Sequence, residues 1–535
     1  MRRRPAPLLL TAALLLGGTV ACSSSDGDAG TTTTTAGADT TAAGPDGTDG
    51  GDGAVNPSAI VAEPEGELAE ADCWWPTEEI DPAVTLTCST LTVPADWNDP
   101  GDDAEVVLPI VRLHHRDVEP DVAPLVSLHG GPGGSSLAAA PVGLSEDVLV
   151  RTQDVILWDQ RGSGFSTPSL NCPEKERAVV DTLATREPLE DELATNLAAV
   201  EACRDRLRGE GIDLDHYNTI QSVNDAEALR AAMGADTWNV MGGSYGTRLG
   251  LAYAREHPDR VRALVLDSVY PPEVGGLARI RDGAEEAIAR LVDECAADDA
   301  CQGAFGDLGE QLANAEAALD GSDEPVTATV EIDGEPVARD FLLAGSDLRS
   351  GMFAALYQKD LIPLLPSVIA SVADGDRSIL GIYIDSAVPL LTQLSEGAYY
   401  SVDCADGGRL LDGATPEDVL GDGATAAYAL TNAATWCGTW GVAPLDASFN
   451  EPALPEAPTL VYAGTLDPVT PYADSKAQAE AMPDARLVTV PRGGHGEARW
   501  DDCTTEALVG FLTDPAADLP ACTASIPAQP FIAGG

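Results

Sequence analysis

Two periodicities alternate along most of the chain. Within residues 105–113, Val106, Leu108, Ile110 and Arg112 fall at alternate positions, and residues 85–93 read in the same way, so the chain is expected to open with antiparallel strands. Compact apolar runs follow at 124–128, 155–158, 238–241, 261–266, 459–463 and 487–490, each ending in glycine-rich or turn sequence. Runs of that kind, without polar alternation, are strands covered on both faces, as in parallel sheets. Between several of them the period lengthens to that of a helix. At 225–233, Ala226, Leu229, Ala232 and Met233 share one face, and 247–256 is a second helical stretch. Strands alternating with helices predict an α/β fold: a mostly parallel sheet flanked by helices. From 273 to 455 the rhythm breaks into helix-like segments, such as 285–292, and a strand-like 326–332. This interval reads as a large, mainly helical cap inserted between a first core part, 63–272, and a closing part, 456–535. No solenoid-type repeat is present.

A chain of 535 residues has room for such a core and its insertion, and 44% hydrophobic content supplies the apolar material. Asp and Glu number 87 against 30 Lys and Arg, a formal charge of -57. That balance excludes nucleic acid as a partner, and its scatter along the chain marks a strongly solvated surface. At the N-terminus Arg2, Arg3 and Arg4 precede an apolar run at 8–16 and small residues at 17–21, the pattern of an export signal and too short for a membrane span. Thr19-Val20-Ala21-Cys22, followed by three serines, resembles a lipoprotein box apart from Thr19 in place of leucine. The expected layout is a signal peptide over 1–22, lipidation at Cys22 and a flexible Ser/Thr/Gly/Ala/Asp tether over 23–62. The product would be an exported, monomeric cell-surface lipoprotein, or a secreted protein if Cys22 is removed or unmodified, touching a membrane only through its anchor. Ten further cysteines, none in a C-x-x-C pair, read as disulfides and not as a metal site; pairing sequence neighbours would close five local loops.

Candidate chemistry begins at Gly242-Gly243-Ser244-Tyr245-Gly246, a G-x-S-x-G between a strand-like and a helix-like segment. Glycines there let the chain turn sharply and expose the serine hydroxyl, and the Tyr245 N–H would face the developing oxyanion. A serine needs a base, and there are six histidines. His114 and His115 end an early strand, His129 sits among glycines, His216 lies in a loop ahead of the serine, and His257 follows a helix end. His495, in Gly493-Gly494-His495-Gly496 after the last expected strand, has the position this order of elements requires. Asp467 follows the preceding strand and would fix the imidazole tautomer; the nearest rival, Asp474, reads as a helix N-cap. The glycines of 129–134, after the strand at 124–128, allow a second backbone donor to the oxyanion, Gly131 or Gly130.

These motifs, together with Trp158-Asp159-Gln160-Arg161-Gly162-Ser163-Gly164, occur in the same order as in prolyl aminopeptidases. Length, export signal, cysteines and Ser401-Val402-Asp403-Cys404-Ala405-Asp406 resemble the secreted tripeptidyl aminopeptidase branch of high-GC Gram-positive bacteria, over about residues 70–525. The resemblance implies an α/β-hydrolase fold and a serine exopeptidase that cleaves peptide bonds near a free N-terminus through an acyl-enzyme. It implies Ser244, Asp467 and His495 as the triad, peptides as substrates, and no metal or organic cofactor. A substrate ammonium group taken into a pocket needs a carboxylate, for which Asp403 and Asp406 are candidates. Asp159 and Arg161 are expected to pair with each other. The same triad would also serve a carboxylesterase acting on small acyl or lipid esters, and a repurposed, non-catalytic tethered binding protein is a further alternative.

Overall fold

Six apolar runs that need cover on both faces, joined to three strands at one edge, build a nine-stranded sheet. The computed structural model describes residues 55–532, apart from 75–79, 102, 120, 139–143, 333–334, 382–383, 385–393 and 412–432. The expected signal peptide, Cys22 and most of the tether lie outside the described residues. Strands β1 (Glu67–Glu70), β2 (Val84–Pro94) and β3 (Glu105–His115) are antiparallel. They lead into β4 (Leu125–Leu128), β5 (Val155–Trp158), β6 (Trp238–Gly243) and β7 (Val261–Asp267). The hairpin of β8 (Val326–Ile332) and β9 (Glu335–Phe341) stands apart, and β10 (Thr459–Gly464) and β11 (Ala485–Val490) close the sheet. The spatial order is β1-β2-β3-β5-β4-β6-β7-β10-β11, parallel from β5 onward. Every residue of β5 and β10 is buried, as their largely apolar sequences require. Alternate residues of β4 and β5 feed opposite cores: Leu125, Val155 and Leu157 pack on one face, Val126, Ile156 and Trp158 on the other.

The helix expected at 225–233 runs from Thr219 to Ala232, beginning where the Asn218 side chain accepts the Gln221 N–H at 3.1 Å. Its early start is hidden in the sequence because the first two turns are polar yet buried. Gln221 accepts the Trp97 N–H, Asp225 the Trp97 indole N–H at 2.8 Å, and Asn224 the Val61 N–H at 2.9 Å. The last contact corrects the expected tether boundary at residue 62. Asn56 is buried and donates to Asp215 O, and Asn224 also binds Ala59 O, so the chain is already held to the core from residue 56.

Strands β7 and β10 pair directly, so residues 268–458 leave the sheet and return to the adjacent position. This excursion holds the β8–β9 hairpin and helices that include Gly276–Ala297, Gly345–Leu356, Glu396–Gly407 and Ala433–Trp440. Five disulfides join sequence neighbours: Cys73–Cys88, Cys172–Cys203, Cys295–Cys301, Cys404–Cys437 and Cys503–Cys522. Such a framework suggests an extracytoplasmic protein. Among the described residues no helix is long and apolar enough to cross a membrane.

Candidate active site

The turn after β6 has little freedom. Gly242 abuts the backbone of Gly246, and Gly246 abuts the Leu128 carbonyl, so neither position has space for a Cβ. Ser244, between them, is held at φ 55° and ψ −124°, a conformation that costs a residue with a side chain of order 1–3 kcal/mol. The Ser244 N–H donates to Asp267 O at 2.9 Å, and Thr247 closes the turn by donating to Ser244 O. The helix Tyr245–Glu256 starts immediately after it. Gly130 packs against the serine: a Cβ there would lie 2.7 Å from Ser244 Cβ and 2.9 Å from Gly243 O. Gly131, at φ 118°, lines the same recess as Ser244.

Asp467 sits just past β10, its carboxylate nearly enclosed. Oδ1 accepts the N–H groups of Val469 and Thr470 at 2.9 Å, and Oδ2 accepts the Thr470 hydroxyl at 2.7 Å. His495 Nδ1 lies 3.0 and 2.9 Å from the two oxygens. With the carboxylate accepting at Nδ1, the neutral imidazole carries its proton there and leaves Nε2 as the basic nitrogen. Burial disfavours the charged ring, but the Asp467 charge and hydrogen bond, joined by the Asp267 carboxylate, outweigh it and hold His495 above the ordinary imidazole value. The Tyr357 ring packs 4.8 Å from the imidazole.

Three flanking residues were not legible as functional in the sequence. Thr470 touches both Asp467 and His495, its hydroxyl 3.3 Å from Nδ1. Asp267 ends β7 and accepts the N–H groups of Glu497 and Ala498 at 2.7 and 2.9 Å, fastening the loop that carries His495. Glu497 is almost wholly buried beside both aspartates, and burial followed by their charges pushes its carboxyl up to about 9. The available signal was positional: a lone acid closing an apolar strand at Leu266-Asp267, and a hydroxyl three residues after Asp467.

Thr470 and Asp403 also line the recess at Ser244. Val269, Val274, Ile280 and Val469 supply the apolar part of its walls, beside the charged pair Arg279 and Asp474. Asp403 comes from the excursion helix Glu396–Gly407 and accepts the Tyr270 hydroxyl at 2.6 Å. The two aspartates expected to compete for one role therefore separate. Asp406 does not line this recess and is occupied by the Thr219 N–H and hydroxyl, at 3.2 and 2.5 Å, and by Arg248 at 3.9 Å. Burial pushes the Asp406 carboxyl up to about 7 against those partners. Thr219 in turn meets the Tyr245 hydroxyl at 2.7 Å, so Asp406 braces the residue after Ser244.

Two further expectations are corrected. Arg161 pairs with Asp225 through two 2.7 Å contacts, both residues fully enclosed, because Asp159 is already filled by Ser135, Leu137 and Phe165. Asp474 does not cap its helix, which begins at Tyr472 behind Pro471; it meets Arg279 at 3.2 Å on the wall of the recess. Among the described residues no group of three His, Cys, Asp or Glu is placed to hold a metal ion.

Two stretches of the chain match known families. Residues 123–299 match the alpha/beta hydrolase fold family, and residues 424–522 match the TAP-like protein family. Serine protease Hip1 of Mycobacterium tuberculosis is 27% identical over 508 residues, covering 86% of this chain and 92% of its own length. Tripeptidyl aminopeptidase of Streptomyces coelicolor is 30% identical over 196 residues, 35% of this chain and 36% of that protein. Proline iminopeptidase of Arabidopsis thaliana is 32% identical over 184 residues, 33% of this chain and 36% of that protein. With its largely parallel sheet, its ordered motifs and these relatives, the chain is a serine hydrolase of the α/β-hydrolase fold, related to the tripeptidyl aminopeptidases and proline iminopeptidases.

Proposed function

We propose that this hydrolase is an exported aminopeptidase in which Ser244 attacks the carbonyl of a peptide bond near a free N-terminus. His495 takes the serine proton at Nε2 and later returns it to the leaving amine, while Asp467 fixes the ring and stabilises the imidazolium. The N–H groups of Tyr245 and of Gly131 or Gly130 receive the oxyanion, and water releases the acyl-enzyme. The observation that carries the reading is a single recess lined by both Ser244 and Asp403. A serine hydrolase working on neutral esters gains nothing from a carboxylate at its acyl site, whereas an ammonium group taken out of water requires one. Asp403 is accordingly the proposed holder of the substrate amine, and residues 273–455 the cap that presents it. Retention at the cell surface through Cys22 completes the proposal.

The test is mass spectrometry of products from an unblocked peptide, its N-acetylated twin and a p-nitrophenyl ester, each with the parent and with Ser244→Ala. Tripeptides or single residues released from the unblocked peptide alone, and lost in Ser244→Ala, are expected. Ester cleavage with both peptides left intact would overturn the aminopeptidase reading.

A further inference from the structure

Asp267 occupies a position between the two halves of the catalytic apparatus. Its backbone carbonyl accepts the Ser244 N–H, and its two carboxylate oxygens accept the N–H groups of Glu497 and Ala498. The neighbouring Ser268 hydroxyl accepts the Gly496 N–H at 2.9 Å, so the three amides that follow His495 are all fastened to the end of β7. We infer that Asp267 is a positioning residue for the base, a second carboxylate that fixes the His495 loop relative to Ser244 and adds its charge to that of Asp467 when the imidazole becomes protonated. The inference rests on the assignment of Ser244, Asp467 and His495 as the triad.

The geometry favours the ionised form. A carboxylate offers acceptors on both oxygens, and both meet backbone donors; a proton on either oxygen would have to share its lone pairs with an N–H already aimed there. Burial works the other way and, with the Asp467 charge, leaves the Asp267 carboxyl above its ordinary value; the two N–H bonds and the His495 charge limit that rise. The titratable groups around it are His495, Asp467 and Glu497, with Tyr462 from β10, whose own ionisation Asp267 disfavours. His495 faces Asp467, Asp267 and the Tyr357 ring. Glu497, held up to about 9, is neutral at pH 7, so the negative charge acting on the imidazole comes from the two aspartates. Rigidity is the second consequence. One residue carries both the nucleophile's amide and the base's loop, so a displacement of β7 moves Ser244 and His495 together, and their separation is conserved. Catalysis by a positioned base loses about 10²-fold for misplacements near 1 Å, which is the scale on which such a tie acts.

The experiment follows the imidazole directly. Histidine ring signals of protein labelled at Cε1 are titrated by NMR in the parent, Asp267→Asn and Asp467→Asn, with His495→Gln identifying the signal among the six histidines. Asp267→Asn is expected to lower the His495 midpoint by about one unit, the low end of the effect of a nearby opposite charge. The acid limb of kcat/KM should move down with it, and kcat should fall about 10- to 100-fold at unchanged KM. Reduced turnover with an unmoved His495 midpoint would overturn the inference, because a merely structural aspartate gives that result. If Asp267→Asn does not fold, Asp267→Glu carries the test: the charge is kept, so the midpoint should hold while kcat falls, and a falling midpoint would overturn the inference. Failure of the triad assignment reads separately, as hydrolysis that survives Ser244→Ala, and the titration is informative whichever way that control falls.

Discussion

Glu497 gives the sharpest test of the electrostatics around His495. It is 1% exposed, its Oε2 has no hydrogen-bond partner among the described residues, and its carboxyl is pushed up from 4.5 to about 9. A carboxyl whose folded pKa lies above its unfolded value keeps its proton in the native state while the unfolded chain releases it. Stability is therefore fully present below pH 4.5, falls through the window from 4.5 to 9, and levels off above. At 1.36 kcal/mol per unit, the loss between pH 4.5 and pH 7 is about 3 kcal/mol. Glu497→Gln keeps the shape and removes the ionisation. Relative to the parent, the variant should gain about 3 kcal/mol of stability between pH 4.5 and pH 7, whatever constant difference separates them at low pH. Urea unfolding of both proteins across that range, with disulfides intact, measures it, because every other titrating group is common to the pair and cancels. A difference that stays flat from pH 4.5 to pH 8 would refute the placement of a neutral acid beside Asp267 and Asp467.

Thr470→Val removes the hydroxyl on Asp467 Oδ2 and leaves the two backbone donors on Oδ1; kcat should fall about 10-fold or more at steady KM, the value of a hydrogen bond to a charge. Asp403→Asn should cost the unblocked peptide about 30-fold or more in kcat/KM and leave p-nitrophenyl ester hydrolysis nearly unchanged, as expected for loss of a buried charge partner. Asp406→Asn should instead leave Arg248 buried without its carboxylate, and show as a lower urea midpoint. Replacing Cys404 and Cys437 together by serine opens a link of 33 residues and should cost about 3–4 kcal/mol of unfolding free energy, measured in the same way.

What the sequence displays is governed by how directly a residue's neighbours in the chain determine its surroundings. The strand at 155–158 coincides with β5, and those at 261–266 and 459–463 fall one residue short of β7 and β10, because short runs this rich in apolar residues fit strands covered on both faces. The turn around Ser244 is legible for a similar reason, since its glycines are demanded by contacts within a few residues. The helix at Thr219–Ala232 was seen only in its second half, because Gln221, Asn224 and Asp225 are buried by partners from residues 61 and 97 that no local pattern announces. The mistaken Asp159–Arg161 pair has the same origin. Proximity in sequence suggested the pair, but the backbone turn of 161–164 wraps Asp159, and the guanidinium reaches Asp225 instead. Asp267 belongs with these, since its partners lie 230 residues away.

That separation bears on how such a site can change its substrate. Ser244, Gly130 and Gly131, Asp467 and His495 all stand at the ends of sheet strands β6, β4, β10 and β11, and Asp267 ties two of those ends across β7. Asp403 arrives from the excursion that leaves the sheet after β7, on a helix secured by Cys404–Cys437 and by Tyr270. On the proposed reading, the groups that attack a carbonyl and the group that selects a free amine therefore rest on different supports. Substitutions along Glu396–Gly407 can alter which acyl group is accepted without moving the nucleophile, whereas a change at Asp267 disturbs attack on every substrate alike. A variant screen that compares peptide with ester turnover across both segments separates the two: ratios should shift for the helix, and absolute rates alone for the strand end.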